Sequence, residues 1–178
     1  MERIFYELRR SHGKGSMAPS FFFKFMREFK MKKRIIFICT HNSARSQMAE
    51  GILRTLYGDK FEVFSAGTEP TNVNPFAIEV MKEIGIDISK QRAKSVKEFL
   101  GEDFDLVVTV CDHAKESCPF FPGGKRYAHK GFEDPSQFKG NDEEILSGFR
   151  KVRDEIKEWI EKAFGEGDIF NDSNFFKR

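Results

Sequence analysis

The chain has 178 residues, of which 39% are hydrophobic and 33% are charged, a size and composition that suit one soluble domain. Its formal net charge is only +2, which argues against a protein that binds nucleic acid or an anionic membrane, since either needs a strong positive field. Three cysteines are an odd number and do not suit a secreted disulfide framework, so they indicate thiols kept reduced in the cytoplasm.

The first 30 residues do not share the pattern of the rest of the chain. Their longest apolar feature is the run Phe21–Phe23, which Lys24 interrupts. A secretory signal needs about 7–15 uninterrupted apolar residues and a membrane span about 20, so we expect neither. Met31 directly precedes the first predicted strand. We therefore expect residues 1–30 to be a poorly ordered extension that precedes the true start of translation, or else a segment whose phenylalanines dock on the domain or on a partner.

From Met31 onward, predicted strands and helices alternate. In chain order they are a strand at 34–39, a helix at 43–57, a strand at 61–65, a helix from Pro75 to Gly85, a short helix at 95–100, strands at 104–110 and 125–129, and a helix at 142–164. This alternation predicts an α/β fold in three layers, with a four-stranded parallel sheet and helices on both faces. We expect the domain to span residues 31–165 and a tail to follow at 166–178.

The first predicted strand ends on Cys39, and a polar loop of five residues separates it from Arg45 at the start of a helix. A helix N-terminus and a neighbouring arginine both lower a thiol pKa below its free value of about 8.5. The loop N–H groups can converge on one tetrahedral anion, and the arginine offers a planar fork to two of its oxygens. The Ser46 hydroxyl is placed to hydrogen-bond the Cys39 sulfur. The pattern predicts a nucleophilic thiol beside a bound oxyanion, although a buried structural cysteine is the alternative.

Two further cysteines follow the predicted strand at 104–110. Cys111 ends this strand, and because the carboxyl ends of parallel strands share one edge of a sheet, with strands about 5 Å apart, Cys39 and Cys111 can belong to one site. Cys118 lies seven positions later. A helix between the two would separate their Cα atoms by about 10 Å, whereas a disulfide needs about 7 Å or less. A Cys111–Cys118 disulfide would therefore require the segment to unwind.

The segment Cys39–Ser46 resembles the C-x5-R-S loop shared by low-molecular-weight tyrosine phosphatases and thioredoxin-coupled arsenate reductases. Its continuation, Gln47–Gly51, resembles the reductase branch. The stretch from Val107 through Cys111 to Cys118 and Pro119 is similar to the part of the reductases that carries their second and third cysteines, and Gly131–Pro135 resembles their Asp-Pro loop. The resemblance covers residues 33–164 and implies a fold like that of the low-molecular-weight phosphatases.

The same resemblance implies roles for single residues. Cys39 would attack arsenic in bound arsenate while Asp134 protonates the departing oxygen, although an aspartate before proline also commonly opens a turn. Cys111 would attack the Cys39 sulfur and release arsenite. Cys118 would then attack Cys111, leaving a Cys111–Cys118 disulfide for thioredoxin to reduce. The substrate-binding residues would be Thr40, His41, Asn42, Ser43, Ala44, Arg45 and Ser46.

No bound metal or other cofactor is expected. The spacing of Cys111 and Cys118 with the nearby histidines matches no common zinc pattern. Some members of the family bind potassium beside the loop through groups that correspond to Asn42, Glu50 and Ser65, but Lys94 stands where their further acidic ligand would be. Because a lysine repels a cation, we expect no potassium requirement and suggest that the lysine supplies a fixed positive charge instead.

Three functions remain open. The leading one is a monomeric cytoplasmic arsenate reductase that uses thioredoxin or a similar dithiol protein. The second is a low-molecular-weight tyrosine phosphatase, since phosphate and arsenate share shape and charge, and residual phosphatase activity is expected in any case. Against it, Ser136 and Gln137 follow Asp134 and Pro135 where that family carries tyrosines. The third is a thiol redox sensor or an oxyanion-binding regulator without turnover.

Overall fold

The computed structural model describes residues 32–111, 121–166 and 169–170. The predicted extension at 1–30, the segment that contains Cys118 and most of the predicted tail lie outside the described residues. Within the described part, no helix is long and apolar enough to cross a membrane.

Four parallel strands form one sheet, which confirms the predicted α/β class. They are β1 (Lys33–Cys39), β2 (Phe61–Gly67), β3 (Leu106–Thr109) and β4 (Tyr127–His129), in the spatial order β2-β1-β3-β4. Ile35 to Ile38 of β1 are fully buried, because a strand between two parallel neighbours is covered on both faces. Ile38 lies opposite Ala66 of β2 and Thr109 of β3.

Among the described residues, the α-helices are α1 (Arg45–Tyr57), α2 (Pro75–Glu83) and α3 (Asp142–Ile160), and two short 3₁₀ helices lie at Val96–Phe99 and Pro135–Gln137. As predicted, α2 starts at a proline after a capping residue: the Asn74 side chain accepts the Phe76 N–H at 2.9 Å. The predicted short helix at 95–100 is a 3₁₀ helix whose capping box pairs Ser95 with Glu98.

The predicted helix at 142–164 is α-helical over only part of its length. Its α-helical part stops at Ile160, and Glu161–Glu166 forms a π-helical turn. This turn brings the Phe164 ring against Phe61 and Trp159, with centroids 5.4 and 5.9 Å apart. The prediction missed the turn because an apolar pattern reports which side of a helix is buried and does not report its hydrogen-bond spacing.

Strands β3 and β4 are shorter than predicted. Phe104 makes only an isolated bridge to Gly124, so the ladder of β3 begins two residues later. Val110, which follows the strand, still donates its N–H to the carbonyl of Ile38 at 2.9 Å. This hydrogen bond keeps the chain beside β1 as far as Cys111. The adjacency of Cys39 and Cys111 at one sheet edge, expected from the sequence, is therefore confirmed.

Aromatic rings pack on both faces of the sheet. On one face, Phe37 meets Phe164 beyond the end of α3, at a centroid distance of 6.5 Å. On the other face, Phe64, Phe99 and Phe104 meet edge to face at 5.5 to 6.0 Å. The 3₁₀ helix Val96–Phe99 thus supplies cover on the face opposite α3. This packing accounts for part of the unusually high phenylalanine content.

Ile169 and Phe170 lie beyond the predicted domain boundary at residue 165, yet both are buried in the hydrophobic core. The Phe170 ring stacks on Phe61 at a centroid distance of 6.2 Å, and the Lys33 Nζ lies 3.6 Å from the Phe170 ring centroid. These contacts join the chain beyond α3 to the first residue of β1 and to β2.

Phe170→Ala is expected to lower the free energy of unfolding by about 3 kcal/mol, because it removes a buried ring and leaves a cavity. Urea denaturation of both proteins measures the change. The matched control is Leu100→Ala, since the Leu100 side chain is 58% exposed and its loss should cost less than about 0.5 kcal/mol. Equal losses in the two variants would contradict a core role for Phe170.

Candidate active site

The loop between β1 and α1 wraps around the Cys39 sulfur. Its outer side is bound to the chain that follows β2: the carbonyls of Thr40, His41 and Ser43 accept N–H groups at 2.8 to 3.0 Å. In a trans peptide the following N–H points the opposite way, so these carbonyl bonds turn loop N–H groups inward. The Asn42 N–H accordingly donates to Cys39 Sγ at 3.1 Å.

The N-terminus of α1 is open toward the loop. Its capping residue is the buried Ala44, and no side chain in the described structure caps the helix. First-turn N–H groups without partners attract anions, and the helix dipole adds to this attraction. The loop and the helix start thus form one open set of backbone groups at residues 40–46, where the sequence predicted an oxyanion cradle.

Asn42 holds this loop together. The residue is fully buried, and its φ of 47° lies in the left-handed region, which asparagine tolerates better than most residues. Its Nδ2 donates to the hydroxyls of Ser46 and Ser65 at 2.8 and 2.9 Å. Its Oδ1 accepts the Lys94 N–H at 2.8 Å and the Gln47 amide at 2.9 Å. All donors and acceptors of the amide are thus used.

The Ser46 hydroxyl lies 2.9 Å from Cys39 Sγ, as the sequence predicted. Because its oxygen already accepts the Asn42 amide, its own proton is available to the sulfur. The sulfur thus contacts the Ser46 hydroxyl and accepts the Asn42 N–H.

Burial raises the pKa of the Cys39 thiol above its ordinary value, since the side chain is only 3% exposed and its thiolate would lose hydration. Hydrogen bonds from Ser46 and Asn42 and the charge of Arg45 oppose this effect, and nearby Cys111 reinforces it. The expectation of a lowered thiol pKa is therefore wrong. The predicted groups do act in the expected direction, but desolvation outweighs them.

A charge cluster around the buried Glu50 supports the loop from behind. Glu50 is 3% exposed and accepts the Ser65 hydroxyl, the guanidinium of Arg54 and the Lys94 ammonium, whose Nζ lies 3.1 Å from Glu50 Oε2. The four positions that the sequence analysis compared with a potassium site, Asn42 included, thus meet in this structure. Ser65 joins Glu50 to the amide of Asn42. The cluster is continuous through Asn42 to the Cys39 sulfur.

Two residues of this support were not predicted. Gln47 is fully buried and donates to the Asn42 and Arg92 carbonyls at 2.9 Å each. The residue type did not predict that this side chain is buried, since glutamine is usually exposed. The pairing of Arg54 with Glu50 could have been found from their i, i+4 spacing.

Arg45 joins the cradle to the loop that follows β4. Its side chain is only 12% exposed, its Nη2 lies 2.9 Å from Asp134 Oδ2, and its Nη1 donates to the Phe132 carbonyl at 3.2 Å. The Phe132 ring in turn packs edge to face on Trp159 of α3, at 6.2 Å. An arginine has five N–H donors, so these contacts leave donors for an oxyanion. The structure thus brings Arg45 and Asp134 together, as predicted.

A cavity of about 500 Å³ lies between these elements. It is lined by Thr40, His41, Arg45, Cys111, Gly131, Phe132, Glu133 and Asp134. Cys39 and Cys111 are both buried, and the Thr40 hydroxyl lies 3.5 Å from Cys111 Sγ. Of the predicted catalytic residues, Cys39, Arg45, Cys111 and Asp134 therefore meet at one site, and Cys118 lies outside the described residues.

Ser46→Ala is expected to raise the pKa of Cys39 further, because it removes a donor that favours the thiolate. Alkylation of Cys39 by iodoacetamide at neutral pH should slow several-fold, and its pH profile should move to higher pH. Mass spectrometry of the Cys39 peptide measures this rate separately from the other thiols. Ser147→Ala, at an exposed position of α3, is the matched control. An unchanged profile in Ser46→Ala would contradict the assigned hydrogen bond.

The chain is similar in sequence to known phosphatases and arsenate reductases. Residues 34–166 match the sequence model of the low molecular weight phosphotyrosine protein phosphatases. An arsenate reductase of Halalkalibacterium halodurans is 51% identical over 135 residues, which are 76% of this chain and 96% of that protein.

Two solved structures are also similar to this chain. An arsenate reductase in its oxidized state is 36% identical, with a TM-score of 0.62 over 73% of this chain and 95% of the other. A low molecular weight protein tyrosine phosphatase from T. tengcongensis is 30% identical, with a TM-score of 0.60 over 74% of this chain and 97% of the other. The chain therefore belongs to the arsenate reductase branch of the low molecular weight phosphotyrosine protein phosphatase family.

Proposed function

We propose that this protein reduces arsenate to arsenite through Cys39, Cys111 and Cys118, with thioredoxin or a similar dithiol protein as its reductant. The observation that carries the proposal is the position of Cys111, which lines the same cavity as Arg45 and lies beside the loop that holds Cys39. A hydrolase of this design needs one nucleophile and has no use for a second thiol there. The names of the similar proteins support the same substrate.

Arsenate would bind in the cradle formed by the loop N–H groups and the open end of α1. Arg45 would bind two of its oxygens through its planar fork. Since the site is largely buried, these interactions are stronger than in water. The donors to the Cys39 sulfur also matter, because burial raises the pKa of this thiol and only its thiolate attacks.

The first step would form a bond between Cys39 Sγ and arsenic and break one As–O bond. The departing oxygen would take a proton from Asp134 and leave as water. Arsenic keeps its oxidation state in this step. Asp134 is placed for this role because its Oδ2 lies beside Arg45, which would hold the anion.

The second step would be the reduction. Cys111 Sγ attacks Cys39 Sγ, the electron pair of the S–As bond passes to arsenic, and arsenite leaves while a Cys39–Cys111 disulfide forms. Cys118 would then attack Cys111, free Cys39 and leave a Cys111–Cys118 disulfide. A dithiol protein would reduce that disulfide and return the enzyme to its starting state. The need for three reduced thiols supports a cytoplasmic location, and we propose a monomer.

Phosphatase activity is the second candidate, and the shared cradle favours it, because phosphate and arsenate have the same shape and charge. Both the family model and a solved neighbour carry the phosphatase name. We expect slow hydrolysis of aryl phosphates as a side activity of the same site. A redox sensor without turnover would be excluded by repeated release of arsenite.

Cys118→Ser tests the proposed relay. With thioredoxin, thioredoxin reductase and NADPH, the wild type should oxidise NADPH continuously when arsenate is present. The variant should stop after one arsenite per chain, since the Cys39–Cys111 disulfide cannot pass to a third thiol. Continuous turnover in the variant would contradict the relay. Hydrolysis of an aryl phosphate by a wild type that makes no arsenite would favour the phosphatase.

Potassium tests the role of Lys94, whose ammonium contacts the buried Glu50. Turnover should be equal, within about twofold, in potassium chloride and in choline chloride, because a fixed positive charge already compensates the carboxylate. Lys94→Ala should lose turnover, whereas Lys97→Ala, at an exposed position nearby, should not. A marked rise of wild-type turnover with potassium would contradict this role.

A further inference from the structure

The two oxygens of the Asp134 carboxylate have different partners. Oδ2 faces Arg45, whose Nη2 lies 2.9 Å away. Oδ1 accepts two hydrogen bonds from one residue, the Ser136 N–H at 3.1 Å and the Ser136 hydroxyl at 2.8 Å. The carboxylate is thus held at one oxygen by Ser136 and presented at the other toward the cavity.

The two bonds from Ser136 are not equivalent. Asp134 caps the 3₁₀ helix Pro135–Gln137, and the backbone N–H two residues after such a cap is supplied by nearly any residue. The hydroxyl bond depends on the side chain. It adds a second contact to the same oxygen and so restricts rotation of the carboxyl group about its χ2 torsion, which is otherwise broad.

Packing fixes the backbone around Asp134 and does not fix the orientation of its carboxyl group. Pro135 is buried, which fixes the start of the short helix, and the Phe132 ring packs on Trp159. The backbone of the loop is therefore set by packing, whereas the carboxyl of Asp134 is partly exposed, with 36% of its side chain accessible. Its orientation is determined by Arg45 on one oxygen and Ser136 on the other.

When an oxyanion engages Arg45, the guanidinium is shared between the anion and Asp134. The Ser136 hydroxyl, in contrast, is a side-chain contact of the carboxyl that is not shared with the anion. We propose that Ser136 is a positioning residue, which holds Oδ1 of Asp134 so that Oδ2 delivers its proton to the oxygen departing from the central atom. This inference rests on the proposed role of Asp134 as general acid and extends it to a residue that does not touch the substrate.

A double-mutant cycle tests the inference. The proteins are the wild type, Ser136→Ala, Asp134→Asn and the double variant, with Ser147→Ala as the matched control at an exposed serine of α3. The measurement is the rate of the first arsenite released per chain, as a function of arsenate concentration. Removal of the hydroxyl should lower the maximal rate about tenfold, since small misplacements of a catalytic group cost this much or more. The arsenate concentration at half-maximal rate should change less than about twofold.

In the Asp134→Asn background, Ser136→Ala should have no further effect, because the serine acts through the acid. With Asp134 intact, Ser136→Thr keeps a hydroxyl and should release arsenite at a rate close to that of the wild type. A serine that merely stabilised the loop would lower the rate by the same factor in both backgrounds, and that result would overturn the inference. An unchanged rate in Ser136→Ala would overturn it as well.

The same proteins separate this inference from the proposed function. If the wild type releases no arsenite but hydrolyses aryl phosphates, arsenate reduction fails and the cycle is repeated with phenyl and para-nitrophenyl phosphate. Ser136→Ala should then reduce the rate more for phenyl phosphate, whose more basic leaving oxygen needs the proton. Equal losses on both substrates would overturn the role of Ser136. A wild type active on neither oxyanion would contradict both proposals.

Discussion

The site depends on the saturated hydrogen bonding of one buried amide, that of Asn42. Its Nδ2 holds the hydroxyls of Ser46 and Ser65, and its Oδ1 holds the backbone N–H of Lys94. A buried amide of this kind is costly unless every donor and acceptor is satisfied, and once satisfied it specifies a single arrangement. The strained left-handed backbone of the loop, the orientation of the Ser46 proton and the place of the charge cluster all follow from this arrangement.

The second feature of the site is a balance at the sulfur of Cys39. Burial raises the pKa of the thiol, whereas Ser46, the Asn42 N–H and Arg45 favour the thiolate. The same low-dielectric surroundings that disfavour the thiolate strengthen each contact to a bound anion. Exclusion of water therefore has opposite effects on ionisation of the thiol and on the binding of an anion. The donors to the sulfur oppose the effect on ionisation.

The local signals in the sequence were read correctly where one segment alone determines the structure. The strand that ends on Cys39, the capped start of α2 at Asn74 and Pro75, and the amphipathic α3 each follow from neighbouring residues. Predictions failed where distant segments decide. The burial of Gln47, the π-helical turn after Ile160 and the packing of Phe170 on Phe61 depend on contacts that no local pattern reports.

The amino-acid sequence by itself determined the parallel α/β class and the site at the ends of β1 and β3. It also predicted the thiol and the arginine from motif spacing, which is a local property, and the aspartate from the family resemblance. Only the tertiary structure decided the sign of the pKa shift at Cys39, the sharing of Asp134 between Arg45 and Ser136, and the contact of Lys94 with Glu50. Desolvation and hydrogen-bond geometry arise when segments far apart in the chain pack together, so they have no counterpart in the sequence pattern.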